Sequence, residues 1–193
     1  MRYLLSFFES LPFTSRVLIA ALAIITITAW IYSWFGPGRH ARRRKKARRI
    51  SQKIQSFKED GAIVAYLRKI DPFVFEELLL DAFEAVGVTV IRNKRYTGDG
   101  GIDGQIYYEG RRIPIQAKRY KQHINKAHME AFTEVTARRK APFGIFIHTG
   151  ITGKGSSEAA HGSIPILIIS GDRLVRLVRH DKAFVDRLLQ GIR

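Results

Sequence analysis

The chain has 193 residues, enough for one globular domain plus an appendage but short for two full domains. Hydrophobic residues make up 46%, which excludes global disorder, and the absence of cysteine excludes a disulfide scaffold, a Cys-ligated zinc site and thiol catalysis. Lys plus Arg number 33 against 17 Asp plus Glu, a net charge of +16 that points to an anionic partner, nucleic acid or anionic lipid. The excess is concentrated: residues 39–49 hold eight Lys or Arg and no acid.

Val17 to Phe35 is uncharged. At about 1.5 Å per residue a helix of that length approaches the ~30 Å hydrocarbon core. Trp30, Tyr32 and Trp34 cluster at one end, where amphipathic rings favour the headgroup layer, and Gly36-Pro37-Gly38 stops the helix. A cleaved signal peptide has a shorter apolar region and a small-residue cleavage site, and Ile31-Tyr32-Ser33-Trp34-Phe35 is poor for cleavage. The basic run that follows places residues 39 onward in the cytoplasm by the positive-inside rule. The expectation is a single-pass anchor in the cytoplasmic (inner) membrane, with 1–16 outside, 17–35 spanning, and lipid contacts through residues 17–49. A topology signal resting on anionic headgroups accounts for the basic run, and a nucleic-acid arm is the weaker reading.

Residues 36–70 read as a basic juxtamembrane and helical connector, with a break near Asp60-Gly61. Asp71 as N-cap and Pro72 at the first helical position open a helix whose Phe75, Leu78, Leu79, Ala82, Phe83 and Val86 form one apolar face, ended by Gly87. Val88 to Ile91 is β-branched and reads as a first strand. Polar residues 92–101 lead to a second strand, Ile102–Tyr108, then a Glu109-Gly110 turn and a third strand, Arg111–Tyr120. A helix over Ala127–Lys140, a buried strand over Phe143–His148, a short helix over Ser156–His161, a strand over Ile164–Ile169 and helical residues from Asp172 onward complete the order. That order predicts an α/β domain, a mixed sheet flanked by helices, over 71–170, with a helical segment over 171–193.

A two-residue turn at Glu109-Gly110 sets Tyr108 opposite Arg111 and Asp103 opposite Gln116. A turn shifted to Gly110-Arg111 sets Asp103 opposite Lys118 instead. In either register Asp103, Gln116 and Lys118 share one face, while Ile113, Ile115 and Ala117 take the core-facing side. A carboxylate, an amide oxygen and an ammonium suit metal-assisted hydrolysis of a phosphodiester. A hard cation such as Mg²⁺ accepts such oxygens, and a nearby Lys orients or deprotonates the attacking water or balances developing charge. Each residue taken singly has a plainer explanation: a turn aspartate, a common strand Gln-x-Lys, a salt bridge.

Phe75-Glu76, then Gly98-Asp99-Gly100-Gly101-Ile102-Asp103, then Gln116-Ala117-Lys118-Arg119-Tyr120 resembles the catalytic domain of the Mrr-like restriction endonucleases, in the Gln-x-Lys branch of the PD-(D/E)xK nuclease superfamily. The resemblance covers roughly Asp71 to Ile169. It implies a restriction-endonuclease-like α-β-β-β-α-β core and DNA as substrate. Asp103 and Gln116 would be ligands of Mg²⁺, with Mn²⁺ as a substitute. Lys118 would be the catalytic lysine, and Glu76 an auxiliary acidic residue near the metal or its water.

Arg119, Lys121 and Lys126 are the candidate phosphate contacts, and Arg138, Arg139 and Lys140 serve equally well as a solvated helix face. His148 reads as a packed residue ending a strand rather than a ligand. A P-loop around Thr152-Gly153-Lys154-Gly155 fails at His148 and Gly155, an EF-hand from Asp99 fails at Gly110, and Gly98-x-Gly100 precedes a strand rather than the helix of a dinucleotide site. The expected function is a membrane-anchored, Mg²⁺-dependent endodeoxyribonuclease, with double-strand cutting requiring a homodimer or two events. The rival is a non-catalytic nuclease-derived module tethering DNA or a partner protein at the membrane.

Overall fold

The computed structural model describes residues 12–35, 38–93, 101–162 and 164–191. It divides into two compact units, residues 1–42 and 43–193. In the first, helix α1 runs from Phe13 to Phe35, four residues longer at its start than the uncharged stretch. Its window Phe13–Trp30 is apolar and entirely unburied, long enough to cross a membrane.

The basic run is part of the helical connector. It forms helix α2, Arg39–Gln55. Ala47, Ile50 and Ile54, at i, i+3 and i+7, are buried in the same core as residues of the sheet. Helix α3, Asp60–Leu67, adds Ile63 and Leu67 to that core. Helix α4 is Pro72–Ala85, and the Asp71 side chain accepts the Val74 N–H at 3.1 Å, the expected N-cap. Its apolar residues Phe75, Leu78, Leu79, Ala82 and Phe83 are buried.

Strands β1 (Thr89–Arg92), β2 (Gly104–Tyr108) and β3 (Arg111–Lys118) form an antiparallel meander. β4 (Gly144–His148) and β5 (Ile166–Ile169) add parallel to it, giving the order β1-β2-β3-β4-β5. Helix α5 (Lys126–Arg138) connects β3 to β4, and α6 (Lys154–Ala160) connects β4 to β5. The helical C-terminal segment is two helices, α7 (Gly171–Val178) and α8 (Lys182–Gln190), because Asp181 starts a second helix by accepting the Phe184 N–H.

Alternation along the strands divides the core. Ile113, Ile115, Ile145 and Ile147 face the cluster built with α2, α3, α4, α7 and α8, while Phe146 and Ile166 face the cluster built with α5 and α6. At the centre of the second contact, Gly144 lets α5 approach: a Cβ there would lie 2.7 Å from Thr136 Oγ1 and 2.8 Å from the Phe132 ring. Gly144→Ala is therefore expected to destabilise the protein by about 1–3 kcal/mol in denaturant unfolding, the cost of overpacking a close-packed core. Unchanged stability would show that the α5–β4 contact yields.

Candidate active site

The β2–β3 turn is the first determinant of the site. Glu109 (φ 47°) and Gly110 (φ 77°) both lie in the left-handed region, as a tight two-residue hairpin turn of this hand requires. The pairing Tyr108↔Arg111, Ile106↔Ile113, Gly104↔Ile115 follows, which is the register of a Glu109-Gly110 turn and not that of the shifted alternative. Strand β2 begins at Gly104 rather than Ile102, so Asp103 lies just before it. Its N–H still donates to Ile115 O at 2.8 Å, and its Oδ2 accepts the Ala117 N–H at 2.6 Å. The carboxylate thus takes a ladder position on β3 where β2 has ended, which fixes it beside Gln116.

Gln116 is oriented as firmly. Its Nε2 donates to Gly101 O at 2.9 Å. A carbonyl only accepts, so the amide's nitrogen must be the atom facing Gly101. Oε1 is shielded from solvent and has no hydrogen-bond partner among the described residues. Gly98, Asp99 and Gly100 lie outside the described residues.

Lys118 ends β3, half-buried and paired in parallel with His148. Glu76 stands on α4, and the Glu76 carboxyl is pushed up to about 8, first by burial and then by the negative charge of Asp103, with Lys118 opposing. Burial also raises the Asp103 carboxyl above its usual value, against the Ala117 hydrogen bond and the charge of Lys118. Glu76, Asp103 and Lys118 therefore act on one another electrostatically, and the two acids are under-compensated. Two neighbouring carboxyls, and an amide oxygen without a partner among the described residues, are oxygen donors of the kind that could hold a hard cation. Among the described residues no group of three or more His, Cys, Asp or Glu gathers to make a metal cage.

The neighbouring groups are structural. His148 is buried; its Nδ1 accepts the Gly150 N–H at 3.1 Å, so Nε2 carries the proton toward Thr152 Oγ1 at 3.0 Å. Thr149 Oγ1 accepts the Tyr120 N–H at 3.1 Å and donates to Tyr120 O at 2.9 Å, clipping the chain as it leaves β3. Of the three candidate phosphate contacts, Lys121 is exposed and Lys126 forms an exposed pair with Glu130 at 3.1 Å. Arg119 is half-buried and donates from Nη1 to Arg68 O at 3.1 Å. His161 bonds Ser157 O and lines a cleft of about 530 Å³ that includes none of Glu76, Asp103, Gln116 or Lys118.

The Mrr_cat restriction endonuclease family model matches residues 67–178, more than half of the chain. The chain belongs to that family. The match spans α4, the β2–β3 hairpin and all of the residues just assembled, and excludes α1 and α2. The chain is 28% identical over 152 residues to the type IV methyl-directed restriction enzyme EcoKMrr of Escherichia coli strain K12, an alignment over 74% of this chain and 50% of that one. The chain spans about half the length of that relative. A solved structure of the MspJI restriction endonuclease in complex with a 27-mer oligonucleotide is 24% identical, with a TM-score of 0.46 over 74% of this chain and 37% of that one.

Sequence reasoning missed the His148–Gly150–Thr152 bonding and the docking of Arg119 on α3, which leave no mark in residue spacing. Burial lowers the His148 imidazole to about 4. The unfolded chain takes up this proton near pH 6.5 and the folded one only near 4, so stability is complete above the upper value and falls as pH drops between them. Relative to His148→Gln, the parent is expected to lose about 2–3 kcal/mol of unfolding free energy between pH 7 and roughly 4.5. Parallel pH profiles for the two proteins would contradict this.

Proposed function

We propose that this protein is a membrane-anchored, divalent-metal-dependent endodeoxyribonuclease. The observation that carries the reading is the Gln116 Oε1, which has no hydrogen-bond partner among the described residues, beside an Asp103 carboxylate pinned to the same strand. Asp103 and Gln116 would hold the cation, with Glu76 as the auxiliary acid. A bound divalent ion supplies Lewis acidity toward the phosphate and lowers the pKa of water.

The chain's own contribution is positional. Asp103 and Gln116 are locked by hydrogen bonds to backbone atoms, so neither has to reorganise when a phosphodiester arrives. Lys118, on the same sheet face, orients the attacking water and balances the negative charge that accumulates on the phosphoryl oxygens. Water oxygen bonds to phosphorus in line with the scissile P–O bond, that bond breaks, and its electron pair leaves on the sugar oxygen, which takes a proton. Arg119, Lys121 and Lys126 are the proposed backbone contacts, with the Arg119 guanidinium also committed to the Arg68 carbonyl.

The length and composition of α1 support anchoring, with the basic α2 start supplying the cytoplasmic topology signal at the inner membrane. EcoKMrr is described as methyl-directed, which makes methylated DNA the substrate to try first. Cutting both strands by a chain with one site calls for a homodimer or two successive events.

The test is cleavage of methylated and unmethylated supercoiled plasmid by the full chain in lipid nanodiscs, with Mg²⁺, Mn²⁺ or EDTA. Nicking with metal, abolished by EDTA and reduced at least about 100-fold in Lys118→Ala and Asp103→Asn, is expected. Equal cutting by folded variants, or by the parent in EDTA, would refute the reading.

A further inference from the structure

Helix α2 lies outside the span matched by the family, yet it reaches the candidate site. Its inner face is fixed to the nuclease unit by buried Ala47, Ile50 and Ile54, and by Arg44, whose Nη2 lies 2.7 Å from Glu84 and whose Nε lies 3.2 Å from Asp81. Beside Arg44, the Arg43 guanidinium stacks on the Phe73 ring at 3.9 Å from the centroid. Phe73 is on the first turn of α4, three residues before Glu76, so the two side chains share a helix face. The Arg43 charge also acts on Glu76, lowering its pKa against the effect of burial.

From Arg43 a row of cations continues along one side of the same helix. Lys46 follows by three residues, Arg49 by three more and Lys53 by a further four, all exposed. At about 1.5 Å per residue, Arg43 to Lys53 covers roughly 15 Å, the rise of four to five base pairs of duplex.

We propose that α2 is a DNA-backbone-binding helix of the nuclease, with Arg43 contacting a phosphate next to the cleavage point and Lys46, Arg49 and Lys53 contacting phosphates beyond it. The proposal rests on the nuclease reading above and extends its substrate-binding surface beyond the family's own segment. A lipid surface is the other anionic partner for such a row. The packing favours DNA: α2 is built into the nuclease core, and the end of the row is stacked one turn from a candidate site residue. The ring contact restrains the Arg43 guanidinium, whose fork of donors matches a phosphate as an ammonium does not.

The experiment uses the full chain in nanodiscs of neutral phosphatidylcholine. Anisotropy of a fluorescent 20-base-pair duplex is followed across a salt series, with plasmid cleavage measured in parallel. The triple variant Lys46→Gln/Arg49→Gln/Lys53→Gln is expected to bind DNA roughly tenfold more weakly and to flatten the slope of log affinity against log salt by about 2 to 3, since each lost phosphate contact removes about 0.9. Arg43→Gln is expected to reduce both binding and cleavage, and Arg43→Lys to restore binding more than cleavage. Unchanged DNA affinity and slope in the triple variant, together with lost retention by vesicles containing phosphatidylglycerol, would overturn the proposal in favour of lipid. A parent that binds DNA with the steep slope but never cuts would refute the nuclease reading and leave the binding surface standing.

Discussion

The 2.6 Å hydrogen bond from the Ala117 N–H to the Asp103 carboxylate ties the fold to the chemistry. It exists because the Glu109-Gly110 turn fixes the register, and because β2 begins only after Asp103, at Gly104, leaving a β3 donor for a side chain to claim. A slip of one residue would turn Gln116 and Lys118 into the core and bring Ile115 and Ala117 to the site face. Burial of Ile113, Ile115 and Ala117 against α4 opposes that slip, so the hydrophobic core and the candidate site enforce the same alignment.

Helix α4 carries two sets of acids that the surroundings treat in opposite ways. Glu77, Asp81 and Glu84 recur at i, i+4 and i+7 and are gathered by Arg92, which lies 3.3, 2.5 and 3.0 Å from them, with Arg44 bridging Asp81 and Glu84. The Arg92 guanidinium holds the Glu84 carboxyl below its usual value. That cluster is a structural clamp joining α2, α4 and the end of β1. Glu76, adjacent in sequence to Glu77, is instead raised to about 8. Carboxyls with arginine partners stabilise a fold, whereas crowded, buried ones lacking full compensation are candidates for a functional site, here the proposed cation site.

The features legible in sequence are those with a local cause. The N-cap at Asp71, the apolar face of α4 and the hairpin turn each follow from residue types at short spacing, and the trio Asp103, Gln116 and Lys118 follows from the turn. The orientation of the Gln116 amide was hidden because its partner, Gly101 O, is a backbone atom that no motif encodes. The integration of α2 was hidden for a different reason. Eight cations in residues 39–49 dominate the reading of that segment, while of the three buried apolar residues only Ala47 lies inside the run and Ile50 and Ile54 follow it. The break between α7 and α8 was legible in principle, since Asp181 precedes Lys182-Ala183-Phe184 as an N-cap would, with His180 in the left-handed region before it.

A preset cation site at Asp103 and Gln116 is tested by direct binding, without depending on turnover. Calorimetric titration of Mn²⁺ into the full-length Lys118→Ala chain in neutral nanodiscs is the measurement. Saturable binding is expected, lost when Asp103→Asn is added and clearly weakened when Gln116→Ala is added. No saturable binding, or binding indifferent to both changes, would contradict it.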